Sequence, residues 1–244
     1  MAQRRIEYQG EQFELSYERR KPLANNIESA PIMLFLHGWG SNKEVMKLAF
    51  GAYFAPYEHI YVDMPGFGNS PNTKPLHTRD YAQIVQKFLF EISGFSTQES
   101  TLVGHSFGGK VAVLCAPKEL ILLSSAGIKV PKTFLVRAKI MLAKMMRKCG
   151  FSGKIFRSSD VQNMNEGMYQ TFKNVVDEDF SSQFAAFEGR ASIFWGKDDR
   201  ATPLFCGQKI AESIKKSRFF ALEGDHYFFL KQGEVIQNLY RSEQ

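Results

Sequence analysis

Five consecutive residues, Gly104-His105-Ser106-Phe107-Gly108, place a serine between two glycines at the point where an apolar run, STLVGHS (100–106), gives way to a helical pattern, FGGKVAVLCA (107–116). A G-x-S-x-G pentad in that context reads as a nucleophile elbow. The strand-to-helix turn is so sharp that backbones crowd the serine on both sides, and only small residues fit there. A serine hydroxyl attacks poorly at neutral pH. It needs a base to take its proton, and the base needs an acid to orient it. Five histidines are available. His37 closes the first apolar run, His105 sits inside the pentad, His59 opens a strand and His77 lies in a polar loop. His226 remains, in Glu-Gly-Asp-His after the last strand-like segment. Asp198 and Asp199, which follow the strand-like ASIFW (191–195), are the candidate acids.

These residues must be held by elements that the hydrophobic pattern outlines. RRIEYQGEQFELSYER suggests a hairpin about Gly10, followed by buried-strand runs at 32–38, 59–64, 100–106 and 119–125, with helical patterns at 78–93 and 107–116 between them. Continuous apolar strands alternating with helices predict an α/β fold: a mostly parallel sheet covered on both faces. The alternation stops from 128 to 190, where the text is helix-like and rich in Met and Phe. It resumes with a strand at 191–195, a helix at about 206–215, a strand at 217–223 and a final helix from about 228. An organised insertion of that length predicts a helical cap over the carboxyl edge of the sheet, where ligands of open α/β folds bind. The expected division is therefore a core of residues 1–127 and 191–244 carrying a cap of residues 128–190.

Composition narrows the class. The 244 residues, 44% hydrophobic and 23% charged, exclude a disordered or fibrous chain and suit one globular core. The three cysteines, Cys115, Cys149 and Cys206, stand at neither disulfide-framework nor metal spacing, which points to a reducing compartment. The charged N-terminal segment does not suit a secretory signal, and no apolar run reaches bilayer-spanning length. A cytoplasmic protein without metal or cofactor is expected. Its net charge of +6 is local: residues 129–157 hold nine basic residues and no acidic one. In TFLVRAKIMLAKMMRKC (133–149), helical spacing gathers Arg137, Lys144 and Lys148 into one narrow stripe. A solvated face would explain it, as would docking of an acidic partner; nucleic acid is not expected. Met141, Met145, Met146, Met164 and Met168, with Phe134, Phe151 and Phe156, suit either an apolar channel for an acyl chain or plain cap core.

Taken together these residues resemble the α/β-hydrolase superfamily over nearly the whole chain. In that family the triad runs serine, acid, histidine along the chain. The acid stands three residues after a glycine and four before a proline, which from Gly196 and Pro203 implies Asp199, with Asp198 as a turn residue. The family's Gly-x-His is Gly224-Asp225-His226. His37-Gly38-Trp39-Gly40 resembles the oxyanion loop, implying that the backbone N–H groups of Trp39 and Phe107 hold the developing negative charge. Asp63-Met64-Pro65-Gly66-Phe67-Gly68-Asn69-Ser70 resembles a structural turn of the family.

Serine at position 106 separates the chain from the dehalogenases and epoxide hydrolases of this fold, which carry aspartate there. Hydrolases of carbon–carbon bonds in aromatic ring-cleavage products are a possible kin, but their H-G-x-G-P-G and G-N-S-M-G-G segments differ from His-Gly-Trp-Gly-Ser-Asn and Gly-His-Ser-Phe-Gly-Gly here. Residues 37–45 and 63–70 look more like the carboxylesterases that remove the methyl ester from pimeloyl-acyl carrier protein in biotin synthesis. That resemblance implies an acidic acyl carrier protein as partner, met by Arg137, Lys144 and Lys148. A generic small-ester carboxylesterase and a catalytically silent binding protein of the same fold are the remaining alternatives.

Overall fold

The computed structural model describes residues 2–22, 30–130 and 164–242. Strands β1 (Ala2–Tyr8) and β2 (Glu11–Arg20) pair antiparallel through a turn at Gln9-Gly10, both at positive φ. That is the backbone a two-residue hairpin loop requires. Then follow β3 (Ile32–Leu36), α1 (Lys43–Phe50), β4 (Glu58–Val62), α2 (Thr78–Ser93), β5 (Thr101–His105), α3 (Phe107–Leu114) and β6 (Glu119–Leu123). The described end of the expected cap segment holds α4 (Glu166–Val175) and α5 (Ser181–Ala185), and the core resumes with β7 (Arg190–Gly196), α6 (Leu204–Ser213), β8 (Ser217–Leu222) and α7 (Gly233–Arg241). Helix α1 falls in a stretch for which the sequence reading offers no element.

Among the described residues the strands form one eight-stranded sheet in the order β1-β2-β4-β3-β5-β6-β7-β8, parallel from β4 through β8. Every residue of β3, β5 and β6 is buried, as strands covered on both faces must be. Their side chains divide with period two. Leu34, Leu36, Leu102, Leu120 and Leu122 join the core under α2, α3 and α6. Met33, Phe35, Val103, Ile121 and Leu123 join the core under α1 and α7. Helix α2 inserts Tyr81, Ile84, Val85, Phe88 and Leu89, an i, i+3, i+4, i+7, i+8 stripe, and stops at Gly94 with φ +76°.

Register decides where the site can be. Leu36 pairs with Gly104, Gly104 with Leu122, and Leu122 with Ile193, so β3, β5, β6 and β7 end at one level. The residues just beyond each strand, Gly38, Ser106, Ser124 and Asp199, therefore open on one edge. β3 has β4 on one side and β5 on the other. The chain leaves it in opposite directions, which makes the crevice where open α/β sheets bind ligands.

The 63–70 turn is tied to the sheet by a buried ion pair. Lys43 Nζ lies 2.6 Å from Asp63 Oδ2, with the two side chains 1% and 0% exposed. Asp63 also accepts the Lys43 and Asn69 backbone N–H groups, and Ser70 Oγ donates to its carbonyl. Gly68, at φ +53°, lies where a Cβ would fall 2.4 Å from this carboxyl group. The turn's sequence is thus dictated by the charge it encloses.

In the segment leading back to the sheet, α4 packs on that turn. Met168 Sδ would be 2.1 Å from a Cβ on Gly66, and Thr171 Oγ1 accepts from Leu76 N–H at 2.9 Å. Met168, 4% exposed, is therefore packed as core between α4 and the turn. Its short distance to a bare glycine backbone is the reason. Met141, Met145, Met146, Phe134, Phe151 and Phe156, together with Cys149, lie outside the described residues.

Candidate active site

Ser106 stands alone between β5 and α3 at φ 50° and ψ −113°, a conformation that a side chain other than glycine's adopts at a cost of about 1–3 kcal/mol. Both flanking glycines are forced. A Cβ on Gly104 would sit 2.6 Å from Gly108 O, and one on Gly108 2.4 Å from Leu36 O. The strained turn lifts Ser106 into a cavity of about 730 Å³ lined also by Trp39, Phe107, Lys110, Ile128, Phe172 and Thr202.

Phe107 is the first residue of α3, so its N–H has no intrahelical acceptor and is free for a ligand. Trp39 belongs to a turn closed by Ser41 N–H to Gly38 O at 3.2 Å. This turn presses against the elbow, because a Cβ on Gly38 would lie 3.3 Å from Ser106 Cβ. The loop is fixed from below by His37. Its Nε2 accepts the Met64 N–H at 3.1 Å and its Nδ1–H, in the tautomer this requires, bonds Gly38 O at 2.8 Å. Burial, opposed by the Gly38 carbonyl, lowers the His37 pKa to about 4, so the ring is a neutral strut. The Trp39 indole packs edge-on against Phe67 and Phe107, with ring centroids 4.9 and 5.5 Å away.

On the far side, His226 Nδ1 lies 2.7 Å from Asp199 Oδ2. Of the two neighbouring aspartates the fold brings Asp199 to the histidine. It is 5% exposed, whereas Asp198 points outward and its backbone N–H bonds Gly224 O at 2.9 Å. Burial alone would raise the Asp199 pKa; hydrogen bonds from His226, the Thr202 N–H and the Ser124 hydroxyl overcome that and hold it down at about 2. The carboxylate is thus an anion across the physiological range. Among the described residues no hydrogen bond joins Ser106 Oγ to His226, in keeping with sites whose catalytic hydrogen bonds tighten only around substrate.

Three residues of the site escape sequence reading. His105 is 1% exposed; its Nε2–H donates to His226 O at 3.0 Å and its ring lies 4.7 Å from that of His226. Lys110, a cation inside the apolar run of α3, was the available signal of a buried charge. Its Nζ reaches Val175 O at 2.5 Å and Glu178 Oε2 at 2.8 Å, close over the Phe180 ring. Thr202, masked in sequence as an ordinary residue before a proline, bonds Asp199. The basic residues Arg137, Lys144 and Lys148 lie outside the described residues. Among the described residues no group of three or more His, Cys, Asp or Glu could hold a metal ion, and no helix is long and apolar enough to cross a membrane.

Comparison with known proteins places this geometry. A 2-succinyl-6-hydroxy-2,4-cyclohexadiene-1-carboxylate synthase of Citrobacter koseri is 30% identical over 92 residues, 37% of this chain and 34% of that protein. The chain thus aligns with about a third of the length of such relatives. Solved structures are similar over their whole length. A thermophilic esterase from Thermogutta terrifontis superposes with a TM-score of 0.72 at 17% identity, covering 100% of this chain and 98% of that one. A meta-cleavage product hydrolase from Pseudomonas fluorescens does so with a TM-score of 0.69 at 15% identity, covering 99% and 98%. Residues 33–237, most of the chain, match the alpha/beta hydrolase family, and the protein belongs to that family.

Proposed function

We propose that the protein is a serine carboxylic ester hydrolase in which Ser106 is the nucleophile, His226 the general base and acid, Asp199 the orienting anion, and the N–H groups of Trp39 and Phe107 the oxyanion donors. One observation carries this reading: a buried carboxylate 2.7 Å from the Nδ1 of His226, on the same sheet edge as a serine held at φ 50°. With Nδ1–H committed to Asp199, the other ring nitrogen is the one free to take a proton. Ser106 Oγ attacks the ester carbonyl as its proton passes to His226 Nε2. The two N–H groups meet the oxyanion, each worth about 3 kcal/mol in the transition state. Collapse breaks the C–O bond, the alkoxide leaves with the proton from His226, and an acyl group remains on Ser106. Water, deprotonated by His226, then releases the acid and restores the serine.

For the substrate, we favour the methyl ester of a pimeloyl group on an acidic acyl carrier protein. The support is the likeness of residues 37–45 and 63–70 to that esterase family and the basic run at 129–157. The described cavity lining adds an apolar character from Trp39, Phe107, Ile128, Val130, Phe172 and Val175, with Lys110 and Lys129 set against Asp177 and Glu178. An acyl chain suits that balance better than a substrate with several carboxylates, such as the relatives' names describe. A cytoplasmic location and a cap spanning 128–190 complete the proposal.

The test joins labelling and turnover. Mass spectrometry after a fluorophosphonate should find one adduct, on Ser106, and none in Ser106→Ala. Methyl pimeloyl-carrier protein should be hydrolysed with a higher kcat/KM than small aryl esters. A folded wild-type enzyme that stays unlabelled overturns the serine mechanism. Labelling with preference for a dienoate ring-fission product and no ester turnover replaces ester by carbon–carbon hydrolysis.

A further inference from the structure

The proposed triad leaves one question of geometry open, because a carboxylate held only by His226 could swing about its own Cβ–Cγ bond. Asp199 Oδ1 accepts the backbone N–H groups of Ala201 at 2.8 Å and Thr202 at 2.9 Å, bonds that any residue types could make. The other oxygen is different. Oδ2, which faces His226, also accepts the Thr202 hydroxyl at 2.8 Å. The same hydroxyl oxygen lies 3.1 Å from Ser124 O and 3.4 Å from His226 Nδ1, so it stands where acid, base and strand end meet. Its surroundings are fixed. Trp195, fully buried, donates its indole N–H to Thr202 O at 2.7 Å, and Ser124 is held at φ 43° beyond the end of β6.

We infer that Thr202 is a positioning residue of this site: its hydroxyl, together with its own backbone N–H, clamps both oxygens of Asp199 so that Oδ2 is presented to His226 Nδ1. The inference rests on the serine-hydrolase reading above and extends it to a fourth side chain. A hydroxyl proton can serve one acceptor fully, and the carboxylate is both nearer and charged, so Thr202 donates to Asp199 in preference to Ser124 O. That donation also withdraws charge from the carboxylate. Besides positioning the acid it moderates how strongly Asp199 favours the charged imidazole. Among the described residues, the titratable side chains facing the pair include His105, Tyr227, whose ring lies 5.6 Å from that of His226, and the buried thiol of Cys206, while Asp198, Arg200 and Asp225 flank it along the chain.

The experiment compares wild type, Thr202→Val and Thr202→Ser by the rate of fluorophosphonate labelling of Ser106 across pH, with melting temperatures taken in parallel. Valine keeps the shape and removes the hydroxyl; serine keeps the hydroxyl. Thr202→Val should label about 10- to 100-fold more slowly. Its acid limb should move to higher pH, because an Asp199 relieved of one donor holds the imidazolium more tightly. Thr202→Ser should stay within about threefold of wild type, since only a methyl group is lost. The low-field proton resonance of His226 Nδ1–H should shift in the valine variant and not in the serine variant, a signature that survives even if Thr202→Val melts earlier. Wild-type rate and pH profile in Thr202→Val, or Thr202→Ser as slow as Thr202→Val, overturns the positioning role. Failure of wild type itself to label overturns the proposed function instead.

Discussion

Lys110 Nζ donates to Glu178 Oε2 at 2.8 Å, and the lysine side chain is 4% exposed against 26% for the glutamate. The bond links α3, the helix that begins at the elbow, to the segment that follows α4. Lys110 can therefore hold one wall of the Ser106 cavity against the core. Burial lowers the Lys110 pKa, and the pairing with Glu178 works against that shift.

A double-mutant cycle on this pair should show coupling. Lys110→Met, Glu178→Gln and the double variant, unfolded in denaturant, should give an interaction energy of about 1–2 kcal/mol, with Lys110→Met the more damaging single change. It leaves the Val175 carbonyl as well as the Glu178 carboxylate without the ammonium donor, whereas Glu178→Gln keeps an oxygen that can accept from Lys110. Additive single effects would mean that the pair contributes nothing beyond packing of the lysine stem.

Stability should fall early on acidification. Burial lowers the pKa of His37 and of His59 to about 4 and that of His105 to about 3. The unfolded chain takes up these protons near pH 6.5 while the folded one does not, so stability is highest above 6.5 and is lost as pH falls from there toward 4. Each histidine adds a slope of up to about 1.4 kcal/mol per pH unit in that window. Urea midpoints at pH 7, 6 and 5 measure the total. Replacing His59, which bonds Tyr61 and Phe54 away from the site, by Gln should flatten the slope by about one proton. An unchanged slope would show that His59 titrates alike in both states.

Asp199→Asn should lower kcat by up to about 10⁴-fold, since the imidazole loses its anion and can settle in the wrong tautomer. Asp198→Asn should cost little, because that side chain faces solvent. Steady-state kinetics on any ester that the wild type turns over decides the matter. A crippled Asp198→Asn enzyme with an active Asp199→Asn one would reverse the assignment.

If an acidic carrier docks on the basic run, Arg137→Glu, Lys144→Glu and Lys148→Glu together should reduce kcat/KM for the carrier-bound ester by about tenfold or more. Hydrolysis of a small p-nitrophenyl ester should be nearly unchanged. Added salt should erode the wild-type preference for the carrier, as exposed charges are screened over about 10 Å at 0.1 M. Equal responses of both substrates would remove the carrier-docking role from these three residues.

The sequence by itself determined the frame. Largely apolar runs at β3, β5 and β6, separated by the α2 stripe and the Gly-flanked serine, already point to a covered parallel sheet with an elbow on its carboxyl edge, because burial on both faces and steric crowding act locally on the chain. What folding decided were the relations between distant segments. Helix α1 was not legible, since the lysine that begins it is buried by Asp63, twenty positions away, and reads as polar in isolation. The spacing to Gly196 and Pro203 already implied Asp199, but what brings Asp199 rather than Asp198 to His226 is the meeting of β7 with the 224–226 loop, Gly196 lying where a Cβ would be 2.2 Å from Asp225 O. The three anchors His105, Thr202 and Lys110 act through His226 O, Asp199 Oδ2 and Glu178 Oε2. Hydrogen bonds of this kind depend on ångström-scale placement across the fold, and linear spacing carries no trace of it.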